Sequence, residues 1–160
     1  MSDPREQHLI YRRALGCFAT GVTIVSADGE EGAVGLTVNS FTSVSLTPRL
    51  VLWCLDERSE RGAAFLAAPR FGVSVLSAEQ QALSMRFAEP GGGRLDSADS
   101  ERTPGGAPLL RGALARFDCR TVERRRLGDH HVIVGEVEAF DAREGAALTY
   151  FRGGYGRLGT

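Results

Sequence analysis

Apolar and polar positions change rhythm several times along this chain, and each change marks an element. Ile10, Ala14, Cys17 and Phe18 recur at helical spacing. Asp3 suits an N-cap, Pro4 the first helical position, Glu6 the far side of a capping box, and Gly21 a C-terminal stop. The period then drops to that of strands. Val22 to Ser26 and Gly32 to Val38 flank Asp28-Gly29, a hairpin signal with a slightly long turn. Leu50 to Leu55 is apolar without alternation and predicts a strand covered on both faces. Ser59 opens a short helix through Ala63, Phe65 and Leu66 that Pro69 closes, and Phe71 to Leu76 is a further strand. Ser77 with Gln80 repeats the capping-box pattern ahead of a third helix through Leu83 and Phe87.

Glu89 to Pro108 has no period and is rich in Gly, Ser, Asp and Pro, which predicts a mobile surface loop. The last third is β: Ala113, Ala115, Phe117, Cys119 and Thr121 alternate with Leu114, Arg116, Asp118 and Arg120. Gly128-Asp129-His130 leads into a strand from His131 to Phe140, and Leu148 to Phe151 forms another, ending before Gly153-Gly154-Tyr155. Six or seven strands with three short helices predict a small barrel, in one domain over residues 1–160, rather than alternating βαβ units.

Composition narrows the function classes. With 42% hydrophobic and 24% charged residues and a net charge of -1, the chain reads as a soluble globular protein. All of its 19 basic residues are arginine. A charge so near zero argues against nucleic acid or an anionic membrane as partner, since both need a basic face. Arg124-Arg125-Arg126 is the one tight basic cluster and reads as a solvated hairpin end. Cys17, Cys54 and Cys119 are widely spaced, odd in number and set among apolar residues, so they read as reduced core residues. No apolar signal core follows Met1, and no run approaches membrane length, so a cytoplasmic location is expected. His8, His130 and His131 lack matching carboxylates, and no metal site is expected.

The chemistry concentrates between Gly35 and Pro48. A short strand there runs into a loop dense in hydroxyls with one amide, and the apolar run 50–55 follows at once. Such groups beside a buried strand can bond the polar edge of a bound ring; Ser and Thr also favour turns for purely local reasons. Several segments, in this order, decide between the two: Ala19-Thr20-Gly21-Val22, Leu36 to Leu46, Leu50 to Asp56, Phe71 to Gln80, Arg86-Phe87-Ala88, Gly128-Asp129-His130, Gly135-Glu136-Val137 and Tyr150 to Tyr155. Together they resemble the short flavin reductases of two-component monooxygenases, within the FMN-binding split-barrel superfamily.

The resemblance implies a mainly β fold, a six- to seven-stranded split β-barrel of Greek-key type with a few short flanking α-helices. It also implies a homodimer that passes hydride from NADH or NADPH to FAD or FMN, with FAD slightly favoured, and supplies a separate flavin-dependent monooxygenase. Thr37, Val38, Asn39 and Ser40 match the segment that lines the isoalloxazine in the family, and Cys54, Leu55 and Asp56 the stretch along its polar edge. Ser59 matches a position reaching toward phosphate, although it serves equally as a plain N-cap. His130 stands where the family places a histidine near flavin and nicotinamide, for packing and hydrogen bonding first and proton transfer second. Tyr155, with Arg152 nearby, falls at the pocket edge and either shields the rings or seals the barrel. Arg86 and Phe87 are candidates for the flavin tail, against the default of a solvated helix arginine.

Three positions depart from the family pattern: Val38 for the usual Ala, Arg49 for a second Pro, and Arg94-Leu95 where many relatives show Lys-Phe. The last leaves nicotinamide preference open. Hydride transfer between two rings needs stacking and electrostatics more than a strong acid or base, which agrees with the lack of a catalytic triad. Two other readings are an oxidase of the pyridoxamine phosphate type, for which no convincing basic set stands out, and a flavin-binding electron carrier without nicotinamide turnover.

Overall fold

In the structure, a computed structural model, residues 3–160 are described. After α1 (Pro4–Leu15) the chain runs through β1 (Thr20–Gly21), β2 (Thr23–Gly29), β3 (Gly32–Val38), β4 (Thr42–Leu46) and β5 (Arg49–Asp56). Next come α2 (Gly62–Ala67), β6 (Arg70–Val75), a 3₁₀ turn at Ala78–Gln80 and α3 (Gln81–Ala88). Two short strands, β7 (Ser100–Glu101) and β8 (Leu109–Leu110), precede the long hairpin of β9 (Ala115–Leu127) and β10 (His130–Ala142); β11 (Ala147–Phe151) and β12 (Gly154–Leu158) finish the fold. Seven strands make the main sheet in the order β3-β2-β6-β9-β10-β5-β4, and β1, β11 and β12 form a small sheet of their own. Every adjacent pair is antiparallel.

The connection between the two outermost strands dictates the shape. Six strand spacings would set β3 and β4 about 29 Å apart in a flat sheet. Val38 ends one and Thr42 begins the other, and four Cα steps reach at most about 14 Å. The sheet therefore curls until its edges approach. They do not pair there, so the barrel is split along that seam.

Inside the curl, Trp53 meets Phe65 edge-on at 5.0 Å between centroids and Phe71 at 6.1 Å. Val25, Val73, Cys119 and Ile133 complete this core. Burying each large aromatic contributes on the order of 2–3 kcal/mol. Phe71 fits because residue 135 is glycine: a Cβ there would lie 2.4 Å from the ring. A second core, with Ile24, Leu76, Phe87, Leu95, Leu110 and Leu148, joins α3 to the small sheet.

Several expectations are met and several corrected. Seven strands form the main sheet, the Ser77–Gln80 capping box is present, and Gly128, at φ 62°, turns the β9–β10 hairpin. The first helix stops at Leu15 with Gly16 as C-cap, short of Gly21. Cys17, expected in the core, is exposed: it lies two residues beyond the end of α1, a helix that itself buries none of its residues. β5 is covered on one face only: Val51, Trp53 and Leu55 are buried, whereas Leu50, Leu52 and Cys54 are half-buried. β4 forms within the stretch read as a loop, and β12 beyond the last expected strand, both by pairing with a neighbour rather than by their own pattern. The stretch from Glu89 to Pro108 is packed, with Leu95 and Ala107 buried. Gly35 N–H donates to Gly93 O at 2.7 Å, and Leu95 N–H to Ala33 O at 2.9 Å.

Candidate functional site at the barrel seam

The seam gathers most of the residues singled out from the sequence. Ser40, in the connection across it, accepts the Cys54 backbone N–H at 2.9 Å and donates to the Cys54 carbonyl at 3.4 Å. A side chain thus stands in for a neighbouring strand and fixes residues 37–40 against residues 54–56. Asn39 beside it is exposed. On the other side of β5 the ladder sets His130 directly opposite Asp56 and Val132 opposite Cys54. Ser40, Cys54, Asp56 and His130 are therefore neighbours at the end of β5, with Asn39 next to Ser40 in the chain.

Strand alternation divides the remaining candidates. Leu55 is fully buried and Val38 nearly so, so any contact they make is through backbone or the edge of a methyl group. Phe87 has 0% exposure and belongs to the second core, which removes its ring from any open surface. Arg86 is occupied: it pairs with Asp99 at 2.7 Å, donates to Arg94 O at 2.8 Å and lies over the Phe87 ring. It braces the 89–108 stretch. Ser59 precedes α2 by a full turn, so the helix N-terminus expected there is absent; its hydroxyl instead accepts Arg61 N–H at 3.3 Å. Ser59 and Asp56 still share a cavity of about 470 Å³ whose other charged lining is Arg58, Glu60, Arg61 and Glu89. A larger cavity of about 530 Å³, between α2 and the β2–β3 hairpin, touches none of the candidates.

Charge at the site is paired. Arg58 grips Asp56 through Nε at 3.1 Å, a terminal nitrogen at 2.9 Å and its own backbone N–H at 2.8 Å. These bonds hold the Asp56 carboxyl down to about 2. Asp129 takes His130 Nδ1 at 2.8 Å, and this bond also lowers the Asp129 carboxyl. An ionised carboxylate only accepts, so the proton sits on Nδ1 and Nε2 is the free nitrogen of the half-exposed ring. Burial raises the Cys54 thiol, against a smaller opposing effect of the Ser40 hydrogen bond.

Ser84 and Arg61 lacked a signal in the sequence, and Thr20 carried only its place in a family segment. Ser84, in mid-helix, touches both Thr37 and Tyr155: its carbonyl accepts Thr37 Oγ1 at 2.7 Å, and its hydroxyl shares a 2.8 Å hydrogen bond with Tyr155 Oη. Arg61 is a buried guanidinium that donates to Phe87 O at 2.8 Å and to Glu89 O. Thr20, opposite Tyr150 in the β1–β11 ladder, has a buried hydroxyl without a hydrogen-bond partner. Such features emerge only from pairing between distant segments.

These polar groups suit a flavin. Thr37, Asn39, Ser40 and Tyr155 are neutral, and the Asp56 carboxylate near them is paired with Arg58. Neutral groups meet the polar edge of an isoalloxazine without burying a charge. The exposed Arg58 beside Ser59 suits an anionic tail.

Residues 15–159 match the family of flavin reductase-like domains, and the chain belongs to that family. It is 48% identical to an FMN reductase (NADH), SmoA, of Agrobacterium fabrum, over 92% of this chain and 84% of the relative. The reductase component of the 4-nitrophenol 4-monooxygenase/4-nitrocatechol 2-monooxygenase of Rhodococcus opacus is 35% identical, over 99% and 89%. Among solved structures, the NADH:FAD oxidoreductase SgcE6 of Streptomyces globisporus C-1027, in complex with NAD and FAD fragments, superposes with a TM-score of 0.87 at 36% identity, covering 99% of this chain and 96% of that one.

Proposed function

We propose that this protein is an NADH-dependent flavin reductase that supplies reduced FAD or FMN to a separate monooxygenase. The carrying observation is the seam, where one side chain, Ser40, locks the hydroxyl-rich segment 37–40 onto β5 and the β5–β10 register adds His130. The named activities of the relatives, NADH-dependent reductases and a monooxygenase reductase component, support the same reading.

When bound, the nicotinamide supplies the hydride and the flavin accepts it. The chain's own part is to hold the rings in register. Thr37, Asn39, Ser40 and Tyr155 offer hydrogen bonds, and β5 provides a firm backing through buried Trp53 and Leu55. His130, braced by Asp129, presents Nε2 as an acceptor on the nicotinamide side. Ser59 and Arg58 bind phosphate.

Two further parts of the reading concern the whole protein. Leu9, Ile10, Tyr11, Leu15 and Phe18 are all about half exposed or more, an apolar surface that a second copy covers in a homodimer. Three free cysteines suit a reducing, cytoplasmic compartment; among the described residues no helix is long and apolar enough to cross a membrane.

Anaerobic stopped-flow mixing with FAD or FMN and NADH or NADPH tests the activity. Rapid bleaching of the flavin band with NADH is the expected result. Flavin binding without bleaching by either nicotinamide overturns the reductase reading and favours a carrier.

A further inference from the structure

Ser84 lies on α3, outside every segment expected to touch cofactor, and has 0% exposure. A buried serine in a helix ordinarily returns its hydroxyl to the carbonyl one turn earlier. Ser84 instead bonds outward to Tyr155 Oη at 2.8 Å, while its carbonyl, using a helix oxygen's second lone pair, takes Thr37 Oγ1 at 2.7 Å. Thr37 belongs to the edge strand β3 of the main sheet, and Tyr155 to β12 of the small sheet. The two sheets are not hydrogen-bonded to each other through these strands, so Ser84 is the one residue bonded to both side chains.

We propose that Ser84 is a positioning residue for flavin reduction: it sets the separation and orientation of Thr37 and Tyr155, two walls of the ring site. The inference rests on the reading of that site given above. Tyr155 has a second constraint, its edge-to-face contact with Tyr150 at 5.2 Å and 64°. That contact fixes where the ring lies but leaves its hydroxyl end free to swing; the Ser84 bond removes that freedom. The backbone carbonyl of the same residue anchors the Thr37 hydroxyl, a bond that Ser84→Ala leaves in place, so the effect of the serine side chain falls on Tyr155. Ring stacking for hydride transfer is sensitive to such placement, since displacements near 1 Å cost large factors in rate.

A double-mutant cycle with Ser84→Ala and Tyr155→Phe tests this, read as kcat and KM for NADH-dependent flavin reduction and as the difference spectrum of bound flavin. Thermal midpoints verify that each variant is folded. Each single variant should lower kcat about fivefold to tenfold, the loss of one neutral hydrogen bond. KM for NADH should change less than kcat, the difference spectrum should shift alike in both variants, and the double variant should be no worse than either single one. A Ser84→Ala protein with normal kcat and spectrum, beside an impaired Tyr155→Phe protein, overturns the role of Ser84 alone. If Tyr155→Phe is itself silent, the placement of Tyr155 at the site fails, and the proposal with it. Additive losses in the double variant also overturn it.

Discussion

Ser40 bonds to both backbone groups of Cys54, accepting its N–H at 2.9 Å and donating to its carbonyl at 3.4 Å. Fourteen positions apart in sequence, the two residues face each other just beyond the end of the β4–β5 ladder, whose Thr42 lies opposite Leu52, where the chain enters the connection that crosses the seam. Stability and the proposed binding are coupled at this point, because the bond that prolongs the β4–β5 pairing also sets the distance between the hydroxyl-rich segment and β5.

Ser40→Ala should therefore harm both. It leaves the part-buried Cys54 N–H unpaired, at an expected cost of about 1–2 kcal/mol in urea unfolding. Flavin affinity, followed by fluorescence quenching, should fall alongside. A variant with unchanged affinity and lowered stability would show that the bond serves the fold only.

His130→Ala separates binding from turnover. The ring is braced by Asp129 and faces Asp56 across the ladder, but it is not needed to hold β5 and β10 together. Its loss should slow NADH-dependent flavin reduction by about tenfold, the worth of one hydrogen bond, and weaken flavin binding much less. Equal losses in both count against its placement on the nicotinamide side.

The Asp56–Arg58 pair predicts a small acid-side effect on stability. Because the folded carboxyl titrates at about 2, below the unfolded value near 3.9, its contribution is fully present above about pH 4 and is lost as pH falls toward 2. The side chain is 36% exposed, so solvent screening limits the contribution to about 0.5 kcal/mol. Arg58→Ala should lower unfolding free energy by that amount at pH 6 and leave it unchanged at pH 2. A difference that persists at pH 2 would mean Arg58 acts through something other than this carboxylate.

Thiol reactivity should rank by burial. Cys17 is exposed, Cys54 half-buried, and Cys119 buried with its thiol pushed up to about 12, chiefly by desolvation. The thiolate is the reacting form, so a disulfide reagent at pH 8 should label Cys54 slowly and Cys119 only on unfolding. Cys17, between Leu15 and Phe18 on the face proposed for a second copy, should label fast only at dilutions that separate the copies. Saturating flavin should slow Cys54 and leave Cys17 unchanged. Protection of Cys17 instead, seen by peptide mapping, would move the flavin site away from β5.

By itself the sequence determined the β-rich class and the strands of the main sheet other than β4, and singled out the segments 37–40 and 54–56, because alternation and apolar runs are local signals of burial, and the ordered family segments carry the resemblance. Partner choice is not local. Whether Cys17 or Cys119 is buried depends on what covers it: α1 finds no cover in its own chain, while β9 lies between β6 and β10. For the same reason β4 reads as a loop until β5 pairs with it. Arg86 looks like a free cation until Asp99 folds back beneath it, and Phe87, one residue on, vanishes into the second core. Tertiary structure alone brought His130 opposite Asp56 and set Ser84 between Thr37 and Tyr155. Those meetings arise from strand register and sheet curvature, which depend on the whole set of long-range pairings and leave no periodic trace in any one segment.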